Sequence, residues 1–367
     1  MTRLADRRVQ LVAWAITTRV AVLATAAGMH WAKGPRGLFA KSAFSHTFGI
    51  LGSWDGVWYR TVATHGYLLI PGRQSDPAFF PLYPILLRGA HVIGLRNLAA
   101  GIVISNLAFV AAMVALYELG RVVVDEDLAW RAAMLAAAFP MGFVYSMAYP
   151  ESVVLALLAF ALTFAIRGRW LASAAAGSLA ALGRPEAVLF ALPIAALAYR
   201  RWRALAPQER AEALGAVVAP AASAAAFPLY LEWTIHNVYA WSWAERSWGR
   251  SFKVDGIVHA FTGLPKLIGE NHWLIRDVAF AAICVLLLAL ARRAGVGWAW
   301  IAAGALIVVL PLTSGSFVSD ARFGLLAIPA YWGLATLTRR RAVFVGTLAL
   351  SLALLVAGTL TIPWIYP

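Results

Sequence analysis

Long apolar runs joined by short arginine-rich connections make up most of this chain, and no water-soluble core is large enough to bury them all. Of its 367 residues 62% are hydrophobic and only 13% charged, whereas soluble domains carry about 25% charge. A helix needs about twenty apolar residues to cross hydrocarbon and must satisfy its backbone groups internally. The runs therefore predict an all-α, polytopic transmembrane helical bundle of about eleven spans. They fall at residues 9–30, 98–119, 129–148, 151–167, 170–183, 185–199, 212–233, 274–292, 297–313, 322–338 and 342–363. We read 1–367 as one integral-membrane domain and 9–30 as a retained first helix, not a cleaved signal peptide.

The formal charge of +14 does not point to nucleic acid. The basic residues form short clusters between spans, as the positive-inside rule requires, and no basic face is interleaved with stacking aromatics. With the N-terminus inside, Arg3, Arg7, Arg8, Arg121, Arg131, Arg167, Arg169, the RRWR run from Arg200, Arg292, Arg293 and Arg339 to Arg341 all fall on the cytoplasmic side. Arg19, within the first span, is read as snorkelling toward that side. The single cysteine, Cys284, lies in an apolar run, which leaves neither a disulfide nor a thiol-based metal site. Small residues at helical spacing in LASAAAGSLAA and APAASAAA let helices approach closely.

Outward positive charge is not explained by topology. Lys33, Arg36, Lys41, Arg60, Arg73, Arg246, Arg250, Lys253 and Lys266 fall on the outer side, together with the first outer loop, 31–97, and a second, 234–273. The turns YPES at 149–152 and GRPEA at 183–187 and the loop TSGSFVSDAR at 313–322 gather there too. Residues 79–95, with Arg88, His91 and two prolines, make a poor span and are expected to lie along the outer interface.

Chemistry concentrates in WDGVWYRTVATHGY, residues 54–67, just beyond the first span. Trp54, Trp58, Tyr59 and Tyr67 supply aromatic faces of the kind that receive sugar C–H surfaces, and Asp55 supplies a carboxylate that can accept a hydroxyl proton. The plain alternative is that Ser53 or Asp55 caps a short helix ending at Gly66. His65 is either a further polar contact or a last-turn cation on that helix. In FFPLYP, Phe79, Phe80 and Tyr83 either line a groove for a lipid tail or anchor the interface. Glu151 and Glu186 stand at membrane boundaries, each capping a new helix or pairing with Arg184. Arg184, Arg250 and Arg322 are outer-side guanidiniums suited to two phosphate oxygens at once, with Arg322 the strongest candidate and Asp320 its expected partner. Trp248 lies near Arg250 in WSWAERSWGRSF. The histidines of that loop are scattered and lack metal-site spacing.

Taken in order, WDGVWYRTVATHGY, FFPLYP, YPES, GRPEA and SDARF resemble the PIG-V mannosyltransferase family, within the C-type superfamily of integral-membrane glycosyltransferases. The resemblance runs over most of the chain. It departs from the family pattern at Pro150–Glu151 and at Phe323, which follows Arg322. It implies juxtamembrane helices in the first outer loop and a polyprenyl-phosphate sugar donor, usually mannose. It further implies a glycolipid or glycan acceptor on the non-cytoplasmic face, and Asp55 as the catalytic base. Inverting displacement of a β-linked donor would then give an α-mannoside. The expected setting is a bacterial plasma membrane with the site facing outside, and membrane lipids as surroundings. No cofactor is certain. A divalent metal is left possible, without a second outer-loop acid placed to hold it. The alternative function is a transporter or flippase of lipid-linked sugar, which should place ionisable residues or broken helices in mid-membrane.

Overall fold

The computed structural model describes residues 2–33, 43–270 and 272–367, and its described regular structure is helical throughout. The expected outer cations Arg36 and Lys41 lie outside the described residues, as do the side chains of Arg3 and Lys33.

Among the described residues five helices are long and apolar enough to cross a membrane: Asp6–Met29 within the first helix, Asn97–Val123, Pro207–Ile235, Leu274–Arg293 and Arg341–Thr361. A sixth crossing is made if the bent pair Glu126–Ala137 and Pro140–Ser146 counts as one span. The remaining expected spans are occupied by shorter helices: Glu151–Ile166, Trp170–Gly183, Ala191–Arg201, Trp298–Leu312 and Ile328–Thr336. The fold is thus a polytopic helical bundle whose long spans are interleaved with short and broken ones.

Local chemistry explains several boundaries. Asp125 caps Glu126–Ala137 by accepting from the Leu128 amide at 2.8 Å, and Glu126 and Asp127 add favourable charge to the first turn. Pro140 cannot donate to the helical ladder, and the chain bends by 72° there before resuming as a 3-10 helix. Arg19 fills the break. Its guanidinium donates to the carbonyls of Gly142 at 2.5 Å and Ala137 at 3.3 Å and to the Ser146 hydroxyl at 3.1 Å, while lying 4.0 Å from the centre of the Phe109 ring. Arg19 is buried and turned inward, which corrects the snorkelling expectation. Backbone groups freed inside lipid must find partners within the protein, and this side chain supplies them.

The Ala-rich helices Trp170–Gly183 and Pro207–Ile235 pack together so closely that a Cβ on Gly177 would meet the Pro220 ring. That bears out the small-residue reading. In the first outer loop, Leu82–Val92 is a helix of 11 residues. It rises only about 16 Å, roughly half the hydrocarbon thickness, so it does not reach across the hydrocarbon by itself. Leu82, Tyr83, Pro84 and Leu87 form its buried face, while Ile85, Arg88 and Val92 are exposed.

Candidate active site

The helix Asp55–His65 begins on a strained residue. Trp54 adopts φ 56° and ψ −128°, a conformation costing an L-residue on the order of 1–3 kcal/mol. Its indole N–H donates to the Ile362 carbonyl at 2.8 Å, and its ring meets Tyr366 edge-on at 5.5 Å. No side chain caps the helix in the ordinary way. Instead the Asp55 amide donates to the Tyr149 hydroxyl at 3.1 Å, and the Ser53 hydroxyl turns back to the Ile50 carbonyl. The capping alternative therefore fails for both residues, and the Asp55 carboxylate is free to reach across the bundle.

It reaches two groups far away in sequence. Arg322 donates to Oδ2 at 2.5 Å, and the Tyr366 phenol donates to Oδ1 at 2.6 Å. Behind Arg322, Glu151 Oε1 lies 3.6 Å from its Nε and 2.5 Å from Nη1 of Arg184. Arg184 in turn approaches Glu186 at 3.3 Å. Acids and guanidiniums thus alternate from Asp55 to Glu186, with Asp55, Glu151, Arg184 and Arg322 all buried. Such a chain is tolerable out of water because each charge has an opposite neighbour. Both glutamates pair with Arg184 instead of serving as side-chain caps, the second of the two readings left open by sequence. Phe323 is wedged between the guanidiniums of Arg184 and Arg250, each 4.6 Å from its ring centre.

A cavity of about 640 Å³ opens over this network. Of the residues expected at the site, Asp55, Tyr59, Phe79, Phe80, Arg184, Trp248, Arg250 and Arg322 line it. Phe79 packs parallel to Trp58 at 5.9 Å and edge-on to Trp248 at 5.5 Å, so the two outer loops share one aromatic wall. Trp248 also donates its indole N–H to the Ser75 carbonyl at 3.2 Å.

Other expected residues stand back from the cavity. Trp54 and Trp58 buttress it from behind. Tyr83 is fully buried, bonded to the Gly101 carbonyl at 2.9 Å and to Ser105 at 2.7 Å. Tyr67 donates to the Phe79 carbonyl at 2.8 Å and lines a separate apolar recess with Phe227 and Tyr230. His65 is exposed in the last turn of its helix, away from the cavity. Glu151 lies beneath the cavity, holding its arginines. Asp320 does not pair with Arg322. Both of its carboxylate oxygens are buried without a hydrogen-bond partner, and burial beside Asp277 pushes it up to about 8.

Sequence reasoning passed over Tyr366 and gave Tyr149 no role. The signal for Tyr366 was WIYP, an aromatic cluster just beyond the last span at the end assigned to the outside. Glu245 also lines the cavity. Burial, reinforced by Glu186 and opposed by Arg250, raises it to about 7. Among the described residues no three His, Cys, Asp or Glu side chains converge as metal ligands. Asp55 itself accepts hydrogen bonds on both oxygens, from Arg322 and from Tyr366.

Fold and site together define a polytopic membrane protein with one acid–arginine–tyrosine centre beneath an aromatic-walled cavity. Its fold is similar to that of the oligosaccharyltransferase of Archaeoglobus fulgidus. The likeness has a TM-score of 0.51 to the crystal structure with zinc and sulfate, at 14% identity, and 0.51 to the apo form, at 12%. The match covers 94% of this chain but 53% and 56% of those chains, so the protein spans about half their length. No curated protein matches it in sequence. Residues 8–192 match the family described as mannosyltransferase (PIG-V), and the chain belongs to that family. The matched half contains Asp55, Glu151 and Arg184, while Arg322 and Tyr366 lie beyond it.

Proposed function

We propose that the protein is an inverting membrane glycosyltransferase that moves mannose from a polyprenyl-phosphate donor to a hydroxyl of a glycolipid or glycan on the non-cytoplasmic face. One observation carries this reading. A buried carboxylate, Asp55, is aimed by Arg322 and Tyr366 at the base of a cavity walled by aromatic rings and guanidiniums. Aromatic rings suit a sugar, guanidiniums suit a phosphate, and a carboxylate suits the proton of an attacking hydroxyl.

The reaction is a single in-line displacement. The acceptor oxygen forms a bond to the anomeric carbon as the bond from that carbon to the phosphate oxygen breaks, inverting the configuration. The hydroxyl proton ends on Asp55. The leaving polyprenyl phosphate gains one negative charge, and that charge develops beside Arg250 and Arg184, whose fixed positions stabilise it without reorganisation. Because a phosphate is already a weak base, no strong general acid is needed. Phe79 and Phe80 face the cavity from the membrane-proximal loop, where a polyprenyl chain enters laterally.

Transfer of label from radioactive polyprenyl-phosphate-mannose into the lipid and glycan fractions of membranes carrying the protein tests the reading. Asp55→Asn keeps the size and most hydrogen-bonding capacity of the side chain but cannot take a proton, so transfer should fall by about 10²-fold or more. Undiminished transfer by a folded Asp55→Asn protein would remove the base from the mechanism.

A further inference from the structure

Asp55 is a base whose two oxygens are already engaged. Arg322 holds Oδ2 at 2.5 Å, and the Tyr366 phenol holds Oδ1 at 2.6 Å. A phenol has one O–H to donate and two lone pairs with which to accept. The single donor of Tyr366 is committed to Asp55, and so toward the cavity, which Tyr366 lines, its oxygen can only accept. An attacking hydroxyl needs an acceptor of that kind. We propose that Tyr366 is a catalytic proton relay: the acceptor hydroxyl donates to the Tyr366 oxygen while the Tyr366 proton passes to Asp55.

The step balances. As the acceptor oxygen bonds to the anomeric carbon, its proton moves to the phenol oxygen, the phenol proton moves to Oδ1 of Asp55, and the bond to phosphate breaks. Tyr366 ends the step as the neutral phenol it began as, Asp55 ends protonated, and the phosphate carries the electron pair. This rests on Asp55 being the base.

The tyrosine is built in place for such a role. Arg276 donates to its backbone carbonyl at 2.8 Å, Trp54 meets its ring edge-on at 5.5 Å, and the Arg322 guanidinium lies 5.4 Å from the ring centre. The strained turn at Trp54 thereby positions both members of the relay, since the same residue precedes Asp55 and backs Tyr366. Burial outweighs the opposing pull of Arg322 and holds the phenol above its ordinary value, so at neutral pH it carries the proton it must pass on. The relay also explains how a carboxylate clamped by an arginine serves a substrate it need not touch. Arg322 keeps one oxygen fixed while proton traffic uses the other.

The test compares wild type, Tyr366→Phe and Asp55→Asn in membranes supplied with radiolabelled polyprenyl-phosphate-mannose, in H₂O and in D₂O. The relay requires Tyr366→Phe to lose about 100-fold in maximal rate with little change in donor KM. The solvent isotope effect should be larger in wild type than in the residual activity of the variant, because two protons move in one case and one in the other. Wild-type rates from Tyr366→Phe with a silent Asp55→Asn would overturn the relay and leave the base standing. Full activity in both variants would instead overturn the base. A rate loss in Tyr366→Phe with an unchanged isotope effect would show a packing role only and also overturn the relay. If Tyr366→Phe fails to fold, 3-fluorotyrosine at position 366 keeps the geometry but makes the phenol more acidic. The relay then requires a displaced pH–rate profile, and an unchanged profile would refute it.

Discussion

Glu151 holds two guanidiniums apart with a single oxygen, at 2.5 Å from Arg184 and 3.6 Å from Arg322, while its other oxygen is buried without a partner. Removing its charge leaves two arginines facing one another out of water. Losing a partner in a buried ion pair costs up to about 3–5 kcal/mol, and here Asp55 still pairs with Arg322 and Glu186 with Arg184, which offsets part of that cost. Glu151→Gln should therefore unfold at clearly lower denaturant than wild type in detergent micelles. It should also transfer more slowly, since Arg322 would no longer be pinned against Asp55. Glu186→Gln, by contrast, removes a partner of Arg184 at 3.3 Å that is itself partly exposed, and should cost much less in the same measurement. Equal losses from the two would mean that the order of charges in the chain is immaterial.

At the scale of the helices, the sequence revealed the apolar segments and misjudged what holds one of them together. The segments 170–183 and 274–292 coincide almost residue for residue with helices, because the length and flanks of an apolar run determine whether lipid can hold it. The break at Pro140 was not foreseen. Its partner Arg19 lies in another span, and local sequence does not reveal which side chain repairs an interrupted ladder. The same limit applied to the site. Asp55, Glu151, Arg184 and Arg322 were each legible from turn position and residue type. Their pairing was not, since Arg322 and Tyr366 lie 267 and 311 residues from Asp55 in the chain. Asp320 was chosen as the partner of Arg322 on proximity in sequence, and the fold paired Arg322 with a distant acid. Arg19→Leu tests the element-level account. Losing charged hydrogen bonds to two carbonyls and a hydroxyl should lower stability by about 3 kcal/mol or more. Maximal transfer rate per folded molecule should stay near wild type, because Arg19 has no contact with the Asp55 network. Calibrated unfolding in mixed micelles, read beside a transfer assay, separates the two quantities.

Across the whole molecule, loops that are remote in sequence meet in one cavity, and their summed charge decides what enters it. Among the described residues four arginines, Arg184, Arg246, Arg250 and Arg322, line the cavity against three acids, Asp55, Glu186 and Glu245. Glu245 is the member that titrates near neutrality, its carboxyl raised to about 7 by burial and by Glu186 against the pull of Arg250. Below that pH it is neutral and the cavity is at its most positive. Above it, a new negative charge appears beside Arg250. The proposed donor carries an anionic phosphate, so its binding should weaken as pH rises through about 7. The sign follows from the raised value, because the protonated form is the one the buried site favours, and ionisation both adds repulsion and draws Arg250 away from the ligand. Donor KM measured from pH 6 to 8 should rise across that interval in wild type. Glu245→Gln should hold KM near its low-pH value throughout. A KM that rises identically in the variant would place the titrating group elsewhere in the cavity and remove Glu245 from control of donor binding.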